Sequence, residues 1–173
     1  MTVVNIIFPP TKRPIHPPGF GYLIPRPRNG YPQSLQDSID KNISSFLGTV
    51  FDSCALSEQD IGDAGFTKLT VMLGGPYGSA CTSADPSIVL SQLQRHLYPN
   101  SDNKLPDPVF YEVHEQRDCI PTPTVGHLQR VEEIRFALKN GPWGGHLEVV
   151  GAGVTGVSVP DCVSAGRNAG RDW

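Results

Sequence analysis

The sequence predicts an α+β fold: an antiparallel sheet with a covering helix, followed by a closing helix, strand and helix. Three features carry that expectation. Short runs of β-branched and aromatic residues recur through the first two thirds of the chain with no crossover helix between two of them. One helical period, entered through Asp85-Pro86, is long enough to cover a sheet face. Near the end, His146-Leu147-Glu148-Val149-Val150 runs into Gly151-Ala152-Gly153-Val154-Thr155-Gly156 and then into a helical pattern.

Taken in order, Val3-Val4-Asn5-Ile6-Ile7-Phe8 reads as a buried strand on which the chain opens directly. Residues 9–18 are too rich in proline for a helix or a central strand, and Gly19-Phe20-Gly21-Tyr22-Leu23-Ile24-Pro25 reads as a short strand closed by proline. After a polar stretch over residues 26–45, residues 47–53 and 68–73 read as two strands whose economical pairing is antiparallel. Asp85 and Pro86 supply a cap and a first-turn proline. Ile88, Val89, Leu93 and Leu97 then recur at helical spacing until Pro99. Val109, Tyr111 and Val113 alternate with Phe110 and Glu112 as a further strand. Cys119-Ile120-Pro121-Thr122-Pro123 interrupts regular structure, so the expected domains are residues 1–117 and 118–173. In the second, Leu128, Val131, Ile134 and Leu138 form a helical stripe stopped by Gly141-Pro142. Trp143-Gly144-Gly145 turns into the strand at 146–150, and a last helix carries Val159, Cys162, Val163, Gly166 and Ala169 on one face.

Composition excludes several classes. The chain has 173 residues, enough to bury a core, with a net charge of -3 and with Lys12, Arg13, Arg26 and Arg28 diluted by prolines, which argues against nucleic-acid binding. No apolar run reaches the ~20 residues that a membrane-spanning helix needs. Cys54, Cys81, Cys119 and Cys162 lie tens of residues apart with no metal-ligand spacing, so they read as reduced thiols packed in the core and no metal site is expected. The five histidines share no spacing that argues for acid–base roles, and no catalytic residue is assigned.

The Gly151–Gly156 stretch matches G-x-G-x-x-G between a strand and a helix, the context in which the motif holds a dinucleotide. Only seventeen residues follow Gly156, too few for the second strand and the ribose-binding acid of a complete unit. The turn therefore reads either as a plain connection or as a contact to a cofactor held mainly elsewhere. Its glycines let backbone approach a ligand, and the free amides of a helix start favour negative charge. Asp161 in the first turn weakens a phosphate reading.

These segments resemble, in order, the C-terminal part of the protoporphyrinogen oxidase family within the flavin-containing amine oxidase superfamily. The resemblance is carried by Gly19-Phe20-Gly21-Tyr22-Leu23-Ile24-Pro25, Gly48-Thr49-Val50-Phe51-Asp52-Ser53 and Thr70-Val71-Met72-Leu73-Gly74-Gly75. It continues through Cys119-Ile120-Pro121 with Gly126-His127, and Gly156-Val157-Ser158-Val159-Pro160-Asp161-Cys162 with Gly166-Arg167. Residues 1–117 then resemble a substrate-binding domain portion. Residues 118–173 resemble the C-terminal portion of an FAD domain, a Rossmann-like unit supplied mostly by sequence outside this chain.

The resemblance implies oxidation of protoporphyrinogen IX to protoporphyrin IX by hydride removal to FAD, with molecular oxygen as acceptor, in heme biosynthesis. By the same resemblance Gly156, Val157 and Ser158, with Gly151 and Ala152, contact FAD. Gly21, Leu23, Val50 and Met72 line the pocket for the small tetrapyrrole substrate. Read as isolated residues, Val50 and Met72 would more often be core. The family implies peripheral association with the mitochondrial inner membrane and leaves a homodimer open. One departure stands out: superfamily members commonly carry Gln-Tyr after the Ile-Pro, and this chain has Thr122-Pro123. With the nucleotide unit absent, the chain alone is expected to hold FAD poorly and to be inactive. Two rival readings remain: a non-catalytic interaction module that kept the sheet, and an NAD-dependent enzyme built on the Gly151 motif.

Overall fold

The computed structural model describes residues 1–28, 30–31, 45–60, 62, 65–75 and 82–171. They fall in two compact units, Met1–Arg117 and Asp118–Trp173. The first unit holds one antiparallel sheet of five strands: β1 (Thr2–Phe8), β2 (Gly21–Leu23), β3 (Phe46–Phe51), β4 (Thr67–Leu73) and β5 (Phe110–Glu115). Their spatial order is β2-β3-β4-β1-β5, with β2 and β5 at the edges. A four-residue helix, α1 (Asp52–Ala55), and a 3₁₀ turn over Ser57–Gln59 connect β3 to β4.

Side chains alternate across a strand, and the register converts that alternation into two distinct faces. On β1 and β4, Val4, Ile6 and Phe8 are buried together with Leu69, Val71 and Leu73, while the residues between them are half-buried. Helix α2 (Pro86–Leu97) covers this face, adding Val89 and Leu93 to the same cluster as Phe46 and Phe51. Its start follows from local chemistry: the Asp85 carboxylate accepts from the Ser87 amide at 2.9 Å, and Pro86 needs no amide partner in the first turn. The stripe expected from spacing is shifted in one respect. Ile88 is 49% exposed, and Leu90 packs against the core in its place.

Ile15, within the proline-rich stretch, is also buried against the core. A polar link lies beneath the same face. Thr49 Oγ1 donates to the Tyr22 hydroxyl at 3.0 Å, and that hydroxyl meets His96 Nδ1 at 3.0 Å. Burial pushes the Tyr22 phenol up to about 12, against the Thr49 hydrogen bond. Burial, helped by Arg95, holds the His96 imidazole below its ordinary range.

The second unit contains α3 (His127–Asn140) and α4 (Val159–Ala169). Helix α3 ends as expected at Gly141, yet of its apolar stripe only Val131 is buried; Leu128 and Ile134 are exposed. On α4, Val159 and Val163 are exposed, and the shielded positions are Cys162, Ala165 and Ala169, an i, i+3, i+7 stripe. The expected strand at residues 146–150 is not formed: the segment is irregular and exposed. Strand structure requires a paired ladder, and no strand of the described residues pairs with this run. The strand expected over 47–53 also stops early, at Phe51, because Asp52 and Ser53 turn into α1.

The three described cysteines are not core residues. Cys54 and Cys119 are exposed free thiols, and Cys162 is half-shielded with its Sγ 3.6 Å from the Gly156 carbonyl oxygen. Cys81 lies outside the described residues. Among the described residues, no helix is long and apolar enough to cross a membrane.

Candidate functional site

The face of the sheet opposite α2 carries the four positions that sequence singles out for a ligand. Cross-strand pairing lines up Leu23, Gly48, Met72, Val3 and His114 in one row. The adjoining row is Gly21, Val50, Thr70, Asn5 and Glu112. Residues directly opposite in antiparallel strands share a face, so Gly21, Leu23, Val50 and Met72 form one contiguous patch at the β2 end. Leu23 is 78% exposed. Val50 and Met72 are half-buried and lie outside the core cluster, so neither is a core residue of this unit.

The glycines of this patch are required by the sheet itself. Gly21 has φ +152, and a Cβ placed on it would come within 2.2 Å of the Thr49 carbonyl oxygen. A Cβ on Gly48 would come within 2.5 Å of the Tyr22 carbonyl oxygen. The close approach expected at Gly21 is thus an approach to the neighbouring backbone, and it keeps β2 tight against β3.

Beside Val50 the second row turns polar. Asn5 Nδ2 donates to Thr70 Oγ1 at 3.0 Å, and Thr70 Oγ1 donates to Asp52 Oδ2 at 2.7 Å. Asp52 is half-buried at the start of α1. Its carboxyl lies above the ordinary range chiefly because of burial, with Asp60 adding to the rise and the Thr70 hydrogen bond and Lys68 opposing it. Lys68 is engaged by Asp60 in an ion pair. Helix α1 is fastened to β4 by the Lys68 amide, which donates to Ser53 Oγ at 2.6 Å. Asn5, Thr70 and Asp52 are functional candidates that sequence reasoning missed. They are separated by 65 and 18 positions, and the registers of β1 and of β3 with β4 bring them together.

The glycine-rich turn belongs to the second unit. The amides of Val154 and Thr155 donate to the Gly151 carbonyl at 2.9 and 3.1 Å, so the turn closes on Gly151, whose φ of +128 suits glycine. The His127 ring meets the Gly153 carbonyl at 2.7 Å. Ala152 is half-shielded and Val157 exposed. Helix α4 begins with a capping box: Ser158 Oγ accepts from the Asp161 amide at 3.1 Å and donates to Asp161 Oδ2 at 2.6 Å. The Ser158 amide reaches the same carboxylate at 3.4 Å.

This arrangement sets what the turn can hold. Ser158 and Asp161 spend their polar groups on each other, and the Asp161 carboxylate adds negative charge at the helix start, which opposes a phosphate there. The amides of Gly156 and Val157 meet no acceptor among the described residues. They suit the neutral carbonyl edge of a flavin ring, so the residues present fit that part of FAD and not its pyrophosphate. Gly156 is fixed by its own helix cap, since a Cβ there would lie 2.7 Å from Asp161 Oδ2.

Comparison with known proteins gives a consistent result. No family model matches the sequence. The chain is 33% identical over 177 residues to the protoporphyrinogen oxidase of Homo sapiens, an alignment covering 98% of this chain and 32% of that protein. It is 30% identical over 177 residues to the protoporphyrinogen oxidase of Schizosaccharomyces pombe, covering 98% and 31%. The chain thus spans about a third of the length of the curated relatives it matches. In fold it is similar to a crystal structure provisionally assigned as a protoporphyrinogen oxidase from Exiguobacterium sp. 255-15. The TM-score is 0.59 at 20% identity, over 99% of this chain and 33% of that one.

Proposed function

We propose, for a chain that is related along 98% of its length to the protoporphyrinogen oxidases and fits a C-terminal portion of them, a part in FAD-dependent porphyrinogen oxidation. The reaction is oxidation of protoporphyrinogen IX to protoporphyrin IX with oxygen as acceptor, at the mitochondrial inner membrane. Residues 1–117 serve as the substrate-facing portion and residues 118–173 as a portion of the FAD domain. The observation that carries this reading is the kinship with two named oxidases over nearly the whole chain. The gathering of Gly21, Leu23, Val50 and Met72 on one sheet face supports it.

Each part contributes a distinct task. Leu23, Val50 and Met72 offer an apolar surface on which a flat or saddle-shaped macrocycle buries its faces. Helix α2 on the opposite side keeps that surface rigid through Val89 and Leu93. The Gly156 and Val157 amides donate to the ring edge of the flavin, and the Ser158–Asp161 box holds them in place. FAD supplies the hydride-accepting chemistry when bound.

Complementation tests the reading. The chain is co-expressed with the remaining two thirds of a related oxidase, and porphyrin fluorescence is followed together with oxygen uptake. A yellow complex that forms fluorescent porphyrin and consumes oxygen is expected, with neither part active alone. A folded, colourless complex without turnover, beside an intact relative that turns over, would contradict it and favour the interaction module.

A further inference from the structure

We propose that Asp52 is a specificity-determining residue that accepts a hydrogen bond from a pyrrole N–H, so that this face prefers the reduced macrocycle to its oxidised product. The inference rests on the porphyrinogen reading above. It starts from the direction of the hydrogen bonds on the open face. Asn5 Nδ2 can only donate, so the Thr70 hydroxyl accepts from it and gives its own proton to Asp52 Oδ2. That leaves Asp52 Oδ1, which accepts no hydrogen bond among the described residues. Lys68, whose side chain neighbours this group on β4, makes its ion pair with Asp60. The carboxylate adjoins Val50 in the chain through Phe51, and Thr70 stands directly opposite Val50 in the sheet. A half-buried acceptor, with one oxygen oriented and the other unengaged among the described residues, therefore borders the apolar patch of Leu23, Val50 and Met72.

The two forms of the macrocycle differ in what they offer such an acceptor. A porphyrinogen carries an N–H on every pyrrole nitrogen and is flexible enough to turn one outward. A porphyrin is flat, and half of its nitrogens have lost their hydrogens and become acceptors. A carboxylate meets donors in the first and partly meets lone pairs in the second, so it holds substrate and lets product go. A hydrogen bond to a charged group is strong enough to set a preference of about tenfold or more.

Isothermal titration under anaerobic conditions tests this on the full chain, with a porphyrinogen and the corresponding porphyrin as separate ligands. The unsubstituted chain is expected to bind the porphyrinogen more tightly. Asp52→Asn keeps the shape and replaces the charge. It should weaken porphyrinogen binding by about tenfold and leave porphyrin binding unchanged or slightly tighter. Thr70→Val, which frees the carboxylate to rotate, should lower the same preference by a smaller factor and carries the test if Asp52→Asn does not fold. Equal weakening of both ligands, or of neither, would overturn the role of Asp52 while leaving the substrate reading intact. Failure of the unsubstituted chain to bind either ligand would overturn the substrate reading, and Asp52's role with it.

Discussion

The Tyr22 hydroxyl lies 3.0 Å from His96 Nδ1 and ties the three-residue edge strand β2 to helix α2. Pairing with β3 and the packing of the Tyr22 ring against Phe51 and the core hold the same strand. The same hydroxyl accepts from Thr49, so one phenol satisfies two elements at once. Tyr22→Phe leaves the Thr49 hydroxyl and the His96 nitrogen without this partner in a half-buried place. It should cost about 1–3 kcal/mol, measured by urea unfolding.

The same pair makes stability depend on pH in a definite direction. Burial holds His96 below its ordinary value of 6.5, so on acidification the unfolded chain takes up this proton before the folded one. The stabilising contribution is whole above pH 6.5, falls as the pH drops toward the lower folded value, and stops falling beneath it. Unfolding free energies measured across this window should decline toward acid. His96→Gln, which does not titrate, should remove that part of the decline.

Gly21→Ala should be the most damaging single change on β2. The added methyl would sit 2.2 Å from the Thr49 carbonyl oxygen at a φ of +152, so β2 must part from β3. A loss of about 2 kcal/mol or more is expected from the strain and broken ladder. Thermal melting checks it.

Helix α2 offers a paired control. Leu93 is fully buried, and Leu93→Ala should cost about 2–5 kcal/mol. Ile88 is 49% exposed, and Ile88→Ala should change stability by about 0.5 kcal/mol or less. Similar losses in both, measured by denaturant midpoint, would place the helix on the sheet through a different face.

The first unit was legible because its strongest signals are local. The alternation in Val3–Phe8 and the Asp85-Pro86 start of α2 are each encoded within a few neighbouring residues, and β3 and β4 pair as consecutive strands with no long crossover helix between them. The run at 146–150 misled because a strand is decided by its ladder partner, which five residues cannot encode. The stripes on α3 and α4 rest on spacing alone, and spacing does not say which face is covered. At the site, Gly21, Leu23, Val50 and Met72 follow from family resemblance, and their common face follows only from the register. Asn5, Thr70 and Asp52 sit on three separate segments and left no sequence signal that could have joined them.

The most direct test of the open sheet face as the tetrapyrrole surface is a methyl-resolved NMR titration of the chain with a porphyrinogen under anaerobic conditions. Shifts should concentrate on Leu23, Val50 and Met72, with the buried methyls of Val71, Val89 and Leu93 on the covered face little changed. Shifts centred instead on the groove lined by Leu90 and Leu105, or no shifts at all, would contradict the account.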